Sequence, residues 1–162
     1  VQVYTFKNLD NWETNYVVPI FNLLWGSGSL ESKLYKTVRG ENSLCYNINT
    51  FYQKYDKEII LHTAIDGDCY NKALKLIKKC LTDMEKGNIK EEELSNVKSI
   101  LINSLNLIYD SPNRLTDNYL FTNIASLPDV EKRIEEFQKV TIEDLVNLSK
   151  KMHLLINYRI GE

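Results

Sequence analysis

The sequence predicts an α+β domain in which an antiparallel-leaning sheet is backed on one face by helices. Four short segments have the alternation and the β-branched or aromatic content of strands, and only a four-residue turn separates the middle two. Seven segments carry apolar residues at helical spacing, and five of them follow one another between the third and fourth strands. Helices collected against one face of a mainly antiparallel sheet bury both kinds of apolar surface.

The N-terminal part predicts one strand and two helices. Residues 1–6 alternate and are rich in β-branched and aromatic side chains, which is typical of a strand. Residues 14–25 are apolar on most sides and predict a buried helix, where Pro19 fits only in the first turn or at a kink. Ser29 is expected to cap a second helix over 30–39.

A hairpin is predicted next. Residues 44–53 and 58–65 are strand-like, and the sequence Lys-Tyr-Asp-Lys between them is the natural turn. Because side chains alternate along a strand, one face of the first strand is expected to carry Leu44, Tyr46, Ile48 and Thr50.

The C-terminal part predicts five helices and a final strand over residues 154–160. The helices are expected over 69–86, 91–109, 114–126, 129–138 and from Thr141 to about Lys151. Thr141 and Asp144 have the spacing of a capping box, which places the start of the last helix.

Composition indicates one globular domain over residues 1–162. The 43% hydrophobic content and the net charge of −2 give no signature of nucleic-acid or membrane binding. The longest apolar stretch, residues 17–25, is too short to span a bilayer. The odd number of cysteines, three, predicts reduced thiols and a cytoplasmic location. Because the chain begins with Val1, we expect it to be part of a longer protein.

Self-sufficient catalytic motifs are missing from the sequence. The two histidines, His62 and His153, form no His-x-x-Glu-His pattern, and no Cys-x-x-Cys pair occurs. Neither a Gly-x-Ser-x-Gly elbow nor a phosphate-binding loop is present. The domain is therefore not expected to be an active enzyme alone or to bind a metal of its own.

Three stretches of the chain carry short motifs in a fixed order. The first holds Leu24, Gly26, Gly28, Ser32-Lys33-Leu34-Tyr35, Val38-Arg39 and Leu44-Cys45-Tyr46. The second covers residues 70–105 and the third covers residues 137–151. In this order they resemble the second, zinc-less domain of the insulinase (pitrilysin) family of zinc metallopeptidases, since residues 70–105 are similar to its paired helices and residues 137–151 to its Val-Thr-x-Glu-Asp-Ile segment. Together the motifs extend over roughly residues 1–160 in order, and each one alone is weak.

The resemblance implies a role in peptide cleavage that needs a partner. In that family a zinc-bearing homologous half, in the same chain or in another subunit, faces a zinc-less half that contributes an Arg and a Tyr. Arg39 and Tyr46 have the required spacing of seven positions. The resemblance therefore implies that these two residues stabilise the substrate carbonyl, in trans to a zinc ion on the partner. It also suggests that the strand pairs with a peptide substrate through Asn47, Ile48 and Asn49.

Simpler interpretations of the same residues stay open. An Arg at a helix C-terminus is favoured by the helix dipole, and a Tyr on a strand is ordinary sheet packing. Three features depart from the family pattern. Gly40 stands where the family usually has Glu, and Lys90 stands where it usually has a capping Thr. Ser43-Leu44-Cys45 replaces the common Gly-Leu-Ala. One alternative is therefore a non-catalytic structural or assembly module of the same fold. Another is an unrelated α+β binding domain with the same helix order.

Overall fold

The computed structural model describes residues 1–27 and 30–161, apart from the side chains at positions 121 and 125. Its sheet has four strands in the order β2-β3-β1-β4, and each neighbouring pair is antiparallel. The strands are β1 (Gln2–Phe6), β2 (Cys45–Gln53), β3 (Glu58–Ile65) and β4 (Met152–Asn157). The predicted α+β class and its antiparallel sheet are confirmed.

Within the described residues, six α-helices accompany the sheet. They are α1 (Val18–Trp25), α2 (Tyr70–Glu85), α3 (Glu91–Asn106), α4 (Pro112–Ala125), α5 (Val130–Lys139) and α6 (Ile142–Lys151). Two segments, Glu13–Val17 and Tyr35–Gly40, are π-helical. Such turns are rare and occur often at functional sites. No helix in the described part of the chain is long and apolar enough to cross a membrane.

The core lies between α1 and the sheet. Phe21 and Trp25 are fully buried, and the Trp25 ring meets Tyr4 of β1 edge-on, with ring centroids 5.1 Å apart. Pro19 lies within a continuous helical stretch over residues 11–25, directly after the π-helical segment, so its missing N–H falls where the winding changes. Burial of three large aromatic rings together makes this helix the centre of the domain.

The second predicted helix differs from expectation in its winding. The π-helical segment Tyr35–Gly40 replaces most of the helix predicted over 30–39, and Ser29, the predicted cap, lies outside the described residues. Leu34 and Val38 are fully buried. Residues four apart lie on the same face of an α-helix. Leu34 and Val38 are four apart and both face the core, although the π-helical winding here is wider than that of an α-helix.

The helices α3 and α4 are less buried than their apolar residues suggest. In α3 only Leu94 and Val97 are buried, and Ile100 of the predicted stripe is half exposed. Four large apolar residues of α4 are exposed, namely Leu115, Tyr119, Leu120 and Ile124. These two helices therefore present apolar surface that the rest of the described chain does not cover.

Candidate functional site

Arg39 and Tyr46 lie against each other at the surface. The Arg39 guanidinium carbon is 5.3 Å from the centroid of the Tyr46 ring and 4.8 Å from that of Tyr35. The cation thus lies within cation–π distance of two aromatic rings. Tyr46 is 85% exposed, and no described residue hydrogen-bonds to its hydroxyl or to the Arg39 guanidinium. Both side chains keep their donors available.

A β-bulge turns Tyr46 outward. Tyr46 and Asn47 together stand opposite the single β3 residue Ala64, and the Thr63 hydroxyl donates to the Asn47 carbonyl at 3.0 Å. The extra residue interrupts the alternation of β2. The residues predicted to share a face with Tyr46 are buried, namely Leu44, Ile48 and Thr50. The prediction that Tyr46 lies on their face is wrong, because alternation holds only in an unbulged strand.

The loop after Arg39 fixes the approach of the two elements. The Ser43 N–H donates to the Arg39 carbonyl at 2.9 Å, and the Leu44 N–H donates to the Val38 carbonyl at 3.1 Å. Ser43 has φ +51°, in the left-handed region that glycine prefers. These bonds satisfy carbonyls at the end of the π-helical segment and direct the chain into β2.

Lys33 ties the start of this segment to the α2–α3 connection. Its ammonium donates to the Asn88 carbonyl at 2.7 Å and to Glu93 Oε2 at 3.2 Å. The same Glu93 oxygen accepts the Lys90 N–H at 3.0 Å. Burial alone would raise the pKa of Glu93, but the bonds from Lys90 and Lys33 lower it.

The capping box predicted to be lost at Lys90 is therefore half retained. A lysine side chain cannot accept a hydrogen bond, so the half that a threonine would supply is missing. The reciprocal half, in which Glu93 accepts the Lys90 N–H, is present.

Gly26 allows close packing beneath the site. A Cβ atom at this position would come within 2.5 Å of Thr50 Cγ2 and 2.8 Å of Leu34 Cδ1. Gly26 therefore lets the end of α1 contact both β2 and the residue that enters the π-helical segment. Gly40 differs, because a Cβ there would meet only the Tyr35 carbonyl, at 3.7 Å. Gly28 lies outside the described residues.

The three predicted substrate-binding residues have different environments. Asn47 is exposed, whereas the Ile48 side chain is 3% exposed and faces the core. Asn49 is half-buried, and its Oδ1 accepts the Thr50 N–H at 3.0 Å. β2 is an edge strand of the sheet, with β3 as its one strand partner among the described residues. Ile48 can therefore contact a bound segment only through its main chain.

Tyr35 and Lys33 are site residues that the motif comparison did not single out for a role. Tyr35 precedes Arg39 by four positions, which is the spacing at which helical side chains contact one another, so this signal was present in the sequence. Lys33 and Glu93 form an ion pair although they are 60 residues apart in sequence, so no local pattern predicts their contact.

The described residues do not fit a zinc ion. No group of three or more His, Cys, Asp or Glu side chains among them could hold a metal. The cysteines Cys45, Cys69 and Cys80 are free, and burial raises the pKa of the Cys80 thiol. The site therefore consists of a cation, a phenol and an open strand edge.

Fold and site together define an α+β domain with a four-stranded antiparallel sheet, an exposed Arg–Tyr pair and an open strand edge. The chain belongs to the family described as the Peptidase M16 inactive domain, whose model matches residues 1–101. This match confirms the resemblance to the zinc-less domain of the insulinase family. It assigns no role to Arg39 or Tyr46, which stay predictions.

Known proteins similar to the chain agree with this family. It is 26% identical over 143 residues to the probable inactive metalloprotease YmfF of Bacillus subtilis (strain 168), covering 86% of the chain and 33% of that protein. It is 26% identical over 155 residues to the uncharacterized zinc protease YmxG of the same strain, covering 91% and 37%. A conserved protein from Enterococcus faecalis V583 has a similar structure, with a TM-score of 0.83, 25% identity and coverage of 94% and 36%. The chain thus spans about a third of the length of each.

Proposed function

We propose that this domain is the substrate-binding, zinc-less wall of a peptidase site completed by a zinc-bearing homologous domain or subunit. The observation that carries the proposal is the Arg39–Tyr46 pair, in which a guanidinium within cation–π distance of two rings lies beside an exposed phenol. Family membership supports the proposed pairing with a zinc-bearing half, since the chain belongs to the family described as the Peptidase M16 inactive domain. Alone, the domain has no peptidase activity.

The pair is suited to stabilise negative charge. When a peptide carbonyl is attacked, charge develops on its oxygen, and fixed donors aimed there lower the barrier. Arg39 is permanently charged and donates in a planar fork, while Tyr46 offers one O–H. Contact with two rings restricts the guanidinium before substrate arrives, which reduces the entropy lost on binding. Loss of one such donor typically lowers turnover by about 10²–10³.

The open edge of β2 is the proposed docking line for an extended peptide. Strand addition uses main-chain hydrogen bonds for affinity and alternate side chains for selectivity. Asn47 contributes its exposed side chain, Asn49 contributes main chain and a half-buried amide, and Ile48 contributes main chain only. Because Tyr46 and Asn47 adjoin in the bulge, a peptide on this edge passes directly beside the phenol.

The protein is proposed to act in the cytoplasm. All three cysteines are free, and two of them are only partly buried. Thiols in that state persist in reducing compartments. The proposed partners are the zinc-bearing half and a peptide, and the net charge of −2 offers no basis for binding nucleic acid or an anionic membrane.

The test uses the full-length protein assembled with its partner and compares single side-chain changes. Tyr46→Phe removes only the hydroxyl and keeps the ring that packs on Arg39. We expect it and Arg39→Ala to lower kcat/KM for peptide cleavage at least tenfold while the melting temperature stays nearly constant. Tyr55→Phe is the matched control, because Tyr55 is also exposed, at 82%, but lies in the β2–β3 turn. Unchanged cleavage in both site variants would refute the catalytic role.

A structural or assembly module of the same fold is the second candidate. Gly40 in place of the family's usual Glu favours it, as does similarity to a relative named a probable inactive metalloprotease. The two functions separate in a peptidase assay of the assembled protein with and without a chelator. Chelator-sensitive cleavage supports the first proposal. Stable assembly with no cleavage supports the second.

A further inference from the structure

A small cavity lies at the far end of β2 from the Arg39–Tyr46 pair. It has a volume of about 170 Å³ and is bounded by the first π-helical segment, the β2–β3 turn, α3 and α5. Lys54, in that turn, is eight residues beyond Tyr46, a separation of roughly 26 Å along an extended strand. The cavity is therefore separate from the proposed peptidase site.

Two cations line this cavity without a carboxylate among the described lining residues. Lys54 and Arg133 both contribute to its wall. Lys54 makes no hydrogen bond or ion pair with any described residue. Arg133 donates one terminal N–H group to Asn118, but its Nε is buried without a partner. Two positive groups thus share a small space, and neither forms an ion pair with a carboxylate of the described residues.

The electrostatics agree with that geometry. Burial, followed by the positive charge of Arg133, lowers the pKa of Lys54. Burial lowers the pKa of Arg133 as well, although Tyr16, Tyr109, Asp129 and Glu131 oppose the shift through their charge interactions. Arg133 stays protonated at neutral pH in any case. An anion placed between the two groups would stabilise both charged forms.

The rest of the wall is mostly apolar. Leu101, Leu105, Leu127 and Phe137 supply its hydrocarbon surface. A cavity of about 150 Å³ lined by apolar groups can hold benzene, so this one has room for a group of about six carbons. Asn15 also lines the cavity, and its Oδ1 is buried without a hydrogen-bond partner.

We propose that this cavity binds a carboxylate carried on a small apolar group, with Lys54 and Arg133 holding the carboxylate and the leucines and Phe137 holding the apolar part. The combination resembles an ordinary small-ligand site, in which apolar walls surround a few convergent polar groups. Such a group occurs in free branched carboxylic acids and at the C-terminus of peptides that end in an apolar residue. An N–H donor next to the carboxylate would suit Asn15.

The experiment is calorimetric titration of the full-length protein with defined probes. We use 4-methylpentanoate, N-acetyl-leucine, N-acetyl-leucinamide and a tetrapeptide ending in leucine with a free or an amidated C-terminus. We expect the carboxylate probes to bind and the amides to bind at least tenfold more weakly. Stronger binding of the free-acid tetrapeptide than of 4-methylpentanoate identifies the peptide terminus as the source, and the reverse order identifies the small acid.

Lys54→Gln tests the site with little risk to folding, because Lys54 lies in a turn and has no partner to lose. It should weaken carboxylate binding at least tenfold, as should Arg133→Gln, whereas Lys72→Gln on the exposed face of α2 should not. Equal affinity for acid and amide probes, no binding at millimolar concentration, or unchanged affinity in Lys54→Gln would overturn the proposal.

Discussion

The corner formed by α1, β2 and the second π-helical segment differs sharply from helix α4. At the corner, Gly26, Leu34 and Thr50 pack so closely that a single added carbon atom would clash. In α4, Leu115, Tyr119, Leu120 and Ile124 are exposed although they are the same kinds of residue that build the corner. Residue type alone thus does not decide burial. What decides it is whether neighbouring elements approach from several sides, which happens at the corner and not along α4.

The comparison also separates two roles of structure in function. The corner fixes the backbone from which Arg39 and Tyr46 project, so its packing is expected to be intolerant of change. The helix α4 places no residue at that site and packs little against the other described elements. Substitutions in the two regions should therefore differ in the size of their effect on stability.

The largest expected effect is that of Leu34→Ala. Leu34 is fully buried, and truncation removes apolar contacts and leaves a cavity. We expect a loss of about 2–5 kcal/mol in the free energy of unfolding, measured by urea denaturation. A loss below about 1 kcal/mol would mean that the corner can collapse around the missing side chain.

Gly26→Ala should destabilise the protein by about 1–3 kcal/mol, because the new Cβ atom overlaps Thr50 and Leu34. The nearest clash is with Thr50 Cγ2, at 2.5 Å. Adding Thr50→Ser removes that methyl group and should restore part of the lost stability. A neutral Gly26→Ala variant in the same denaturation experiment would contradict the close-packing account.

Glu93→Gln should lower stability by about 1 kcal/mol at pH 7, because the charge that strengthens the bonds from Lys33 and Lys90 is lost. The pKa of Glu93 is lower in the folded chain. Its contribution is therefore complete above the unfolded value, about 4.3, and disappears as the pH falls through the folded pKa.

The denaturation midpoints of wild type and Glu93→Gln should accordingly converge as the pH falls from the unfolded value, about 4.3, through the lower folded pKa. Glu92→Gln is the matched control, since Glu92 is an exposed neighbour in the same helical turn. A pH-independent difference, or an equal effect of Glu92→Gln, would show that Glu93 does not act through its charge.

Gly40→Ala should stabilise the protein by about 0.4–1 kcal/mol. Its φ lies outside the left-handed region and a Cβ atom has room, so alanine mainly restricts the unfolded chain. The opposite sign of Gly26→Ala and Gly40→Ala, compared by thermal denaturation, tests whether the motif glycine Gly26 and the non-motif glycine Gly40 differ in role. Destabilisation by Gly40→Ala would show that this position needs glycine.

Leu120→Ala in α4 should change the free energy of unfolding by less than about 0.5 kcal/mol, since more than half of the side chain is exposed. It is the same substitution as Leu34→Ala in a region without close neighbours. A loss comparable to that of Leu34→Ala would show that another part of the protein covers α4.

Much of this fold follows from local sequence patterns. The hairpin strands, the α2 boundaries near Gly87 and the Thr141–Asp144 capping box are set by alternation, helical periodicity and cap residues, and the structure has each of them. Family membership followed from ordered motifs, none of which is specific alone. The Arg39–Tyr46 spacing was also visible, although its catalytic role stays a prediction.

The remaining features depend on tertiary contacts. The bulge at Tyr46 is invisible to alternation, because an extra residue in a strand changes no propensity. The π-helical winding of Tyr35–Gly40 places Leu34 and Val38 in the core much as an α-helix would. The α4 helix is exposed because few of the other described elements pack against it, and the sequence of the helix itself does not determine that.

The β-bulge has a consequence for how the gene can change. A deletion of one codon between Leu44 and Ile48 would leave the buried residues paired and the strand regular, so the protein would still fold. Deletion of Asn47 would leave Tyr46 alone opposite Ala64, on the same exposed face, whereas deletion of Tyr46 would remove the phenol. The interval from Cys45 to Ile48 thus holds one residue more than the sheet requires, and the residue that remains opposite Ala64 records whether a lineage has kept the Arg–Tyr pair.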